Sequence, residues 1–149
     1  MINAKDVAKL RAETGAGIMD AKKALKEAEG DFEKATQVLQ EKYAQKAAKK
    51  SDRETGEGVI GTYVHNNKRG IMVALACETD FVARNQDFQT LAQNLAVHIA
   101  SIEEDLSLEE ILETAYIKDP SLTIADLIKE KIATIGENIQ LKDYRKITL

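Results

Sequence analysis

Apolar residues recur at helical spacing through the first third of the chain, and the pattern predicts three short helices. Their apolar stripes comprise Val7 and Leu10, then Ala21, Ala24, Leu25 and Ala28, then Phe32, Ala35, Val38, Leu39 and Tyr43. Helix-terminating residues separate the stripes at residues 14–17 and at Gly30-Asp31. Glycine readily adopts the left-handed conformation that ends a helix, and Asp is a preferred N-cap for the next helix. We therefore expect a three-helix module over residues 1–52, ending where the apolar pattern lapses, and a second domain over residues 53–149.

Beyond the boundary the hydrophobic period changes from helical spacing to two. Residues 59–65 are β-branched and aromatic, which is typical of a strand. Residues 66–70 form a turn cluster rich in Asn and Gly, and residues 71–77 are apolar throughout. The pattern predicts a β-hairpin whose second strand is central and covered on both faces.

The remainder of the chain alternates helix signals with one final strand. One apolar stripe follows Asn85 as N-cap, and it comprises Phe88, Leu91, Leu95, Ile99 and Ile102. Ser107 opens a capping box for a helix that must end before Asp119-Pro120, and Thr123 caps a last helix that stops at Gly136. Residues 139–149 then suggest a closing strand. The predicted fold class is α+β: a three-helix module followed by a three-stranded antiparallel sheet packed with helices.

Three strands leave two sheet edges, and exposed edges invite pairing with a second copy. Self-association through the sheet is therefore a reasonable hypothesis. Charges at Lys142, Asp143 and Lys146 on the last strand could also blunt that edge.

Composition and charge narrow the function classes. The chain has 149 residues, and no apolar run approaches the roughly 20 residues of a membrane span. The first residues resemble neither a signal nor a transit sequence, and a single cysteine excludes an intrachain disulfide, so we expect a soluble protein of a reducing compartment. Residues 1–55 carry a net charge of +2 and residues 56–149 one of −6. The basic segment 42–53 is thus better read as a solvated helix end than as a nucleic-acid site.

The chain has a poor inventory for catalysis or metal binding, with two histidines and one cysteine. Cys77 lies in an apolar strand, where a thiol is normally inert, and His98 lies at the border of a helical stripe. The acidic residues between 103 and 113 lack the turn glycine of a calcium loop. We expect no enzyme chemistry, metal or cofactor; a cysteine nucleophile using Cys77 and His65 is a minor alternative.

Two apolar features admit either a local or a partner-binding interpretation from the pattern alone. In residues 78–85, ETDFVARN, a Phe-Val pair follows Asp80 at the end of a strand. Phe81 could fold back onto the core, or it could form an apolar wedge presented to a partner. Ile18 and Met19, after a small-residue loop, could likewise cover the module's core or face a partner.

Several motifs resemble the elongation factor Ts family, whose members exchange guanine nucleotides on elongation factor Tu. The segment ETDFVARN at 78–85 is similar to the family's signature, and Leu10-Arg11 followed by TGAGIMDAKKAL at 14–25 is similar to its N-terminal motif. KAAKK at 46–50 and IGENI at 135–139 match further segments in the same order. The resemblance spans nearly the whole chain and implies a ubiquitin-associated-like fold for the N-terminal module.

The resemblance also implies roles by position. Asp80 and Phe81, flanked by Thr79 and Val82, would insert between two helices of the GTP-binding domain of elongation factor Tu, near its magnesium site. The N-terminal module would dock on another helix of that domain through Arg11, Ile18 and Met19. The implied mechanism is non-covalent: the wedge displaces the elements that hold magnesium and phosphate, GDP leaves and GTP rebinds.

The chain resembles the family's short form, since longer members carry a second half of the core. The short form implies a cytoplasmic protein that homodimerises across its sheets, here without a covalent link because the C-terminal segment has no cysteine. We expect no direct binding to nucleic acid or membrane. A ubiquitin-associated-like adaptor without exchange activity is the alternative function, and an RNA-binding accessory that uses residues 42–53 is a third.

Overall fold

The computed structural model describes all residues, 1–149, and contains seven helices and five strands. The helices are α1 (Ala4–Thr14), α2 (Ile18–Glu27), α3 (Phe32–Lys50), α4 (Asp80–Ala83), α5 (Gln86–Ala100), α6 (Leu108–Glu113) and α7 (Ile124–Ile135). The strands are β1 (Glu57–His65), β2 (Arg69–Cys77), β3 (Ala115–Tyr116), β4 (Asp119–Thr123) and β5 (Ile139–Thr148). None of the helices is both long and apolar enough to span a bilayer. The predicted mixture of an N-terminal helical part and an antiparallel sheet with helices is confirmed.

The first three helices pack around a small core of their own. Asn3 closes a capping box at the start of α1, Gly15 ends that helix in the left-handed conformation, and Asp31 caps α3 as predicted. The core comprises nine buried residues, with Leu10, Leu25 and Leu39 at its centre. The predicted three helices are therefore confirmed, whereas the division into two domains at residue 52 stays a prediction.

A larger core of 20 buried residues lies under the three-stranded sheet, whose order is β1-β2-β5 with both pairs antiparallel. The predicted hairpin is confirmed: β1 and β2 pair along their whole length, and Asn66 and Asn67 adopt left-handed conformations in the turn. Helix α5 covers one face, and its predicted stripe is buried as far as Ile99, with Ile102 partly buried beyond the helix end.

The prediction that β2 is covered on both faces is wrong at Met72, whereas Ala74 and Ala76 on the same face are half-buried and buried. Ile71, Val73 and Leu75 point into the core, whereas Met72 on the opposite face is 50% exposed. Helix α5 covers one side of the sheet, and the other side remains open around Met72. The outer sheet face, defined here by Ile60, Val64, Met72 and Ile147, exposes these four apolar side chains next to Thr62 and Arg145.

The C-terminal elements begin where the capping signals placed them. Ser107 and Thr123 form capping boxes for α6 and α7, and Gly136 ends α7 in the left-handed conformation. The short β3–β4 hairpin was not predicted. Lys146, expected to blunt the sheet edge, instead turns inward and donates to the carbonyl oxygens of Ile102 at 2.8 Å and Glu104 at 2.9 Å.

Candidate partner-binding site

The junction between β2 and α4 presents the residues that the sequence singled out. Strand β2 ends at the buried Cys77, and α4 is a single turn that begins at Asp80. Thr79 caps this turn, because its hydroxyl oxygen accepts from the backbone N–H of Val82 at 3.3 Å. Val82 is partly buried and packs against the main core. The turn is therefore held at both its first residue and its inner face.

Phe81 points away from the protein, since its side chain is 80% exposed. The alternative that it folds back onto the core is thus contradicted. Asp80 beside it has a side chain that is 49% exposed and forms an ion pair with Arg84 at 3.3 Å. An exposed aromatic ring next to a half-exposed carboxylate leaves both groups accessible to a binding partner. The part that they play with a partner stays a prediction.

A carboxylate from the loop between α7 and β5 anchors the root of this turn. Glu137 accepts from the backbone N–H groups of Glu78 at 3.1 Å and Thr79 at 3.0 Å through Oε1. Its Oε2 accepts from the Thr79 hydroxyl at 2.6 Å. Ile139 pairs with Cys77 across the sheet, so the antiparallel register carries Glu137 opposite Thr79. Three donors on one carboxylate give a strong local anchor, because hydrogen bonds to charged acceptors exceed neutral ones in strength.

A second set of contacts ties this junction to the segment that precedes β1. The Glu78 carboxylate accepts from the backbone N–H of Asn138 at 2.8 Å and lies 3.5 Å from the Arg53 guanidinium. The Asn138 side chain, 2% exposed, donates to the carbonyl oxygen of Arg53 at 2.9 Å. The root of α4 is thereby connected to the backbone that leaves α3. We call Arg53, Glu78, Thr79, Glu137 and Asn138 the junction network.

The N-terminal candidates lie on the surface of the three-helix module. Ile18 is 57% and Met19 75% exposed at the start of α2, so neither seals the core. Arg11 is exposed on α1, and its Nε donates to the carbonyl oxygen of Ala16 at 3.2 Å. Arg11 and Ile18 line one groove of about 390 Å³ with Ile2 and Val7 as apolar floor residues.

The structure thus gathers the predicted residues into two groups. Thr79 to Val82 form one at the β2–α4 junction, and Arg11 and Ile18 share a groove on the helical module, with Met19 next to it in the chain. Sequence reasoning assigned no role to Glu78, Glu137 or Asn138. The signal available for them was the position of Glu78 in the segment 78–85 and of the other two in the segment 135–139.

The structure also places the other residues for which the sequence offered a chemical interpretation. Cys77 and His65 lie at opposite ends of the hairpin, roughly 27 Å apart at strand spacing, and burial raises the pKa of the Cys77 thiol. No group of three or more His, Cys, Asp or Glu side chains is arranged to hold a metal ion. In the basic segment, Lys42 hydrogen-bonds to Asp20, which lowers the pKa of that carboxyl, and Lys46 lies 3.7 Å from it.

Comparison with known proteins gives a consistent result. A family model described as elongation factor TS matches residues 78–149. Curated relatives named elongation factor Ts include one from Nostoc sp. (strain PCC 7120), 47% identical over 99% of this chain and 47% of its own length. The relative from Thermosipho melanesiensis is 41% identical, and the alignment covers all of this chain and 99% of the relative.

A chloroplastic elongation factor Ts of Guillardia theta is 39% identical over 99% of the chain and 89% of its own length. The chain spans about half the length of several relatives, including the Nostoc protein at 47% and an Aquifex aeolicus protein at 51%. The Thermosipho alignment extends over 194 residues, more than the 149 of this chain, so that relative carries segments that are missing here. Full-length similarity at this level of identity shows that the chain belongs to the elongation factor Ts family.

Proposed function

We propose that the protein is a guanine-nucleotide exchange factor that releases GDP from elongation factor Tu. The observation that carries the proposal is the exposure of Phe81, 80% on a one-turn helix whose root is anchored by Glu137. The support holds Phe81 in one place beside Asp80, and an exposed ring with a fixed direction can be inserted into a partner. The family's exchange activity, which the sequence motifs imply, fits such a support.

In the proposed mechanism the Asp80-Phe81 pair enters between two helices of the partner's GTP-binding domain. Phe81 fills an apolar gap and Asp80 supplies a charge beside it, which shifts the elements that hold magnesium and the phosphates. Arg11, Ile18 and Met19 dock the helical module on another helix of the same domain. No bond in either protein is made or broken, and GTP rebinds after GDP has left.

Thermodynamic linkage limits what the wedge can achieve. The factor weakens GDP binding by the same factor by which GDP weakens binding of the factor. Burial of one Phe side chain contributes roughly 1.5–3 kcal/mol. If that burial occurs only in the distorted, nucleotide-free state, it supplies about one to two decades of coupling.

Release of fluorescent GDP from elongation factor Tu tests the function directly. The expected result is a release rate that rises with the concentration of the added protein and then saturates. Binding without faster release would identify the alternative, an adaptor, and contradict the proposal. Affinity for RNA that falls steeply with salt, in the absence of exchange, would instead favour the nucleic-acid function.

We further propose that two copies of the chain pair through their sheets, without a covalent link. The outer sheet face carries Ile60 and Met72, 58% and 50% exposed, together with Val64 and Ile147. These residues share one face because Val64 and Ile147 flank Gly70, and Thr62 lies between Ile60 and Val64 opposite Met72. The four apolar side chains surround Thr62 and Arg145 on this face, and a second copy that covers the face removes the apolar area from water.

Sedimentation at tens of micromolar checks the dimer, since a moderate-affinity interface is populated in roughly that range. We expect a dimer for the unaltered chain and a shift toward monomer for Met72→Lys, because the charge lies in the apolar face. Ile117→Lys is the control, as Ile117 is equally exposed but lies in the β3–β4 hairpin. A monomeric unaltered chain would contradict the proposal.

A further inference from the structure

The one-turn helix α4 cannot set its own direction. Four residues form too few hydrogen bonds to hold a helix in isolation, because nucleation is unfavourable and only propagation repays it. The orientation of Asp80–Ala83 must therefore come from the groups to which it is attached. Thr79 caps the turn with its hydroxyl, Val82 and Ala83 pack against the main core, and the Gln89 side chain donates to the carbonyl oxygen of Ala83 at 3.3 Å.

Glu137 binds Thr79 at two atoms, and the Cys77 thiol also donates to the carbonyl oxygen of Thr79 at 3.2 Å. The Glu137 carboxylate accepts both the N–H and the hydroxyl of Thr79, and also the N–H of Glu78. The Thr79 hydroxyl donates its proton to Glu137 and accepts from the backbone N–H of Val82. Because the proton points at Glu137, the lone pairs of the hydroxyl oxygen point at the first turn of the helix. Removing the carboxylate would leave two partly buried backbone donors without a partner.

The anchor reaches beyond the turn itself. Glu78 binds the N–H of Asn138, the residue after Glu137, and lies against Arg53. Asn138 in turn holds the carbonyl oxygen of Arg53, in the segment that leads from α3 to β1. The root of α4, the two residues before β5 and the segment between α3 and β1 therefore form one hydrogen-bonded unit.

We infer that Glu137 is a positioning residue for nucleotide exchange, which fixes the direction of Phe81 through Thr79 without contacting the partner. The inference rests on the proposed exchange function. A ring that is to enter a gap between two helices must arrive in one orientation, since every alternative orientation of α4 lowers the fraction of molecules competent to insert it. Glu137 restricts the orientations of α4 because it binds Thr79, the residue directly before Asp80.

The test combines Glu137→Gln, Phe81→Ala and the double variant, with fluorescent GDP on elongation factor Tu. Glutamine keeps the length of the side chain but loses the charge and one acceptor. We expect Glu137→Gln to lower the saturated release rate about tenfold, the value of one strong hydrogen bond. The concentration that gives half-maximal release should change little, because Arg11, Ile18 and Met19 remain in place. Glu103→Gln, an exposed glutamate outside the junction network, is the control.

The double variant separates a positioning role from a merely structural one. If Glu137 acts through Phe81, the double variant releases GDP no more slowly than Phe81→Ala alone. Amide hydrogen exchange of the free protein adds a second readout, and we expect faster exchange at Glu78 and Thr79 in Glu137→Gln. Thr79→Val removes both the proton donated to Glu137 and the oxygen that caps Val82, so it should show a loss of the same kind, and it covers the case in which Glu137→Gln folds poorly.

The outcomes distinguish this inference from the function on which it rests. A wild-type rate in Phe81→Ala contradicts the wedge and the positioning role together. An impaired Phe81→Ala beside a Glu137→Gln that matches Glu103→Gln contradicts the positioning role alone. Losses that add fully in the double variant also contradict it, since Glu137 would then act by another route.

Discussion

His98 shows how one buried side chain fixes a distant hairpin. It is 2% exposed on α5, and its Nδ1 accepts the backbone N–H of Ile117 at 3.1 Å. Its Nε2 lies 2.8 Å from the hydroxyl of Thr114, whose own proton goes to the carbonyl oxygen of Ile111. The network therefore assigns a neutral ring with its proton on Nε2.

Protonation of His98 should weaken the fold at acid pH. Burial lowers the pKa of His98 below its ordinary value of 6.5, so its stabilising effect is complete above that value and is lost as the pH falls through the folded pKa. We expect His98→Gln to be about 1–2 kcal/mol less stable at pH 7.5 and to lack this part of the acid loss. Urea unfolding at several pH values measures it, with the exposed His65→Gln as the control. Equal acid loss in both variants would contradict the assignment.

At the residue scale the sequence singled out a candidate segment but left the direction of its side chains open. The segment 78–85 was singled out, yet the pattern could not tell an exposed Phe81 from a buried one. Both arrangements put an aromatic residue after a strand, and only the inward packing of Val82 decides between them. His98 was placed at a helical border, and it is buried because the β3–β4 hairpin covers it.

At the scale of elements, the features set by local capping residues were predicted, whereas those set by tertiary packing were missed. The caps Asn85, Ser107 and Thr123 were predicted because each acts within its own first turn. The β3–β4 hairpin was missed because β3 has two residues and shows no period, and β4 contains Pro120, which lacks a backbone donor. The exposure of Met72 was missed because an apolar strand gives no sign that one face lacks a covering helix.

The contact between β1 and α5 depends on a glycine. A Cβ added to Gly61 would lie 2.6 Å from the backbone oxygen of Ala92, so the strand and the helix would have to separate. We expect Gly61→Ala to lower the free energy of unfolding by about 1–3 kcal/mol, as overpacking does. Chemical denaturation measures it. Gly56→Ala, where an added Cβ meets nothing within 4 Å, is the matched control and should be close to neutral.

At the scale of the whole molecule, the helical module and the rest of the chain meet around α7. Ala133 of α7 packs against the module's core, and Glu130 lines a small cavity with Tyr43, Glu13 and Asp119. The Glu130 carboxyl lies beside Gly15, where a Cβ added to the glycine would be 3.5 Å from its Oε1. Gly15 ends α1, so this carboxyl faces the negative end of the helix dipole. The pKa of Glu130 is raised to about 7, mainly by burial. The charge of Lys131 lowers this pKa and that of Asp119 raises it.

This contact should loosen as the pH rises. Between 4.5, the ordinary pKa, and about 7 the folded protein keeps a proton that the unfolded chain has lost, so the free energy of unfolding falls through that window. We expect Glu130→Gln to abolish the fall and to be about 1–2 kcal/mol more stable at pH 8, after allowance for solvent screening. Denaturation across pH 5–8 checks it. Glu113→Gln, an exposed carboxylate, should keep the wild-type slope, and a flat wild-type profile would contradict the argument.

The hydrogen bonds of the junction network join residues that are far apart in the chain, and the sequence pattern could not predict them. Glu137 lies 58 positions from Thr79 along the chain, and Asn138 lies 85 positions from Arg53. No local spacing links such residues, and they meet only because β5 pairs with β2. The central place of β2 in the three-stranded sheet was predicted from the hairpin and the apolar second strand, whereas the junction network required the register.

The central claim, that Phe81 drives nucleotide exchange, is tested most directly by the GDP release rate of Phe81→Ala. The exposed ring contributes little to the fold, so the variant should unfold within about 0.5 kcal/mol of the unaltered protein. Ile117→Ala removes another exposed apolar side chain outside the site and is the control. We predict that Phe81→Ala slows saturated GDP release from elongation factor Tu by about one to two decades while Ile117→Ala has no effect. Equal rates for all three proteins would contradict the account.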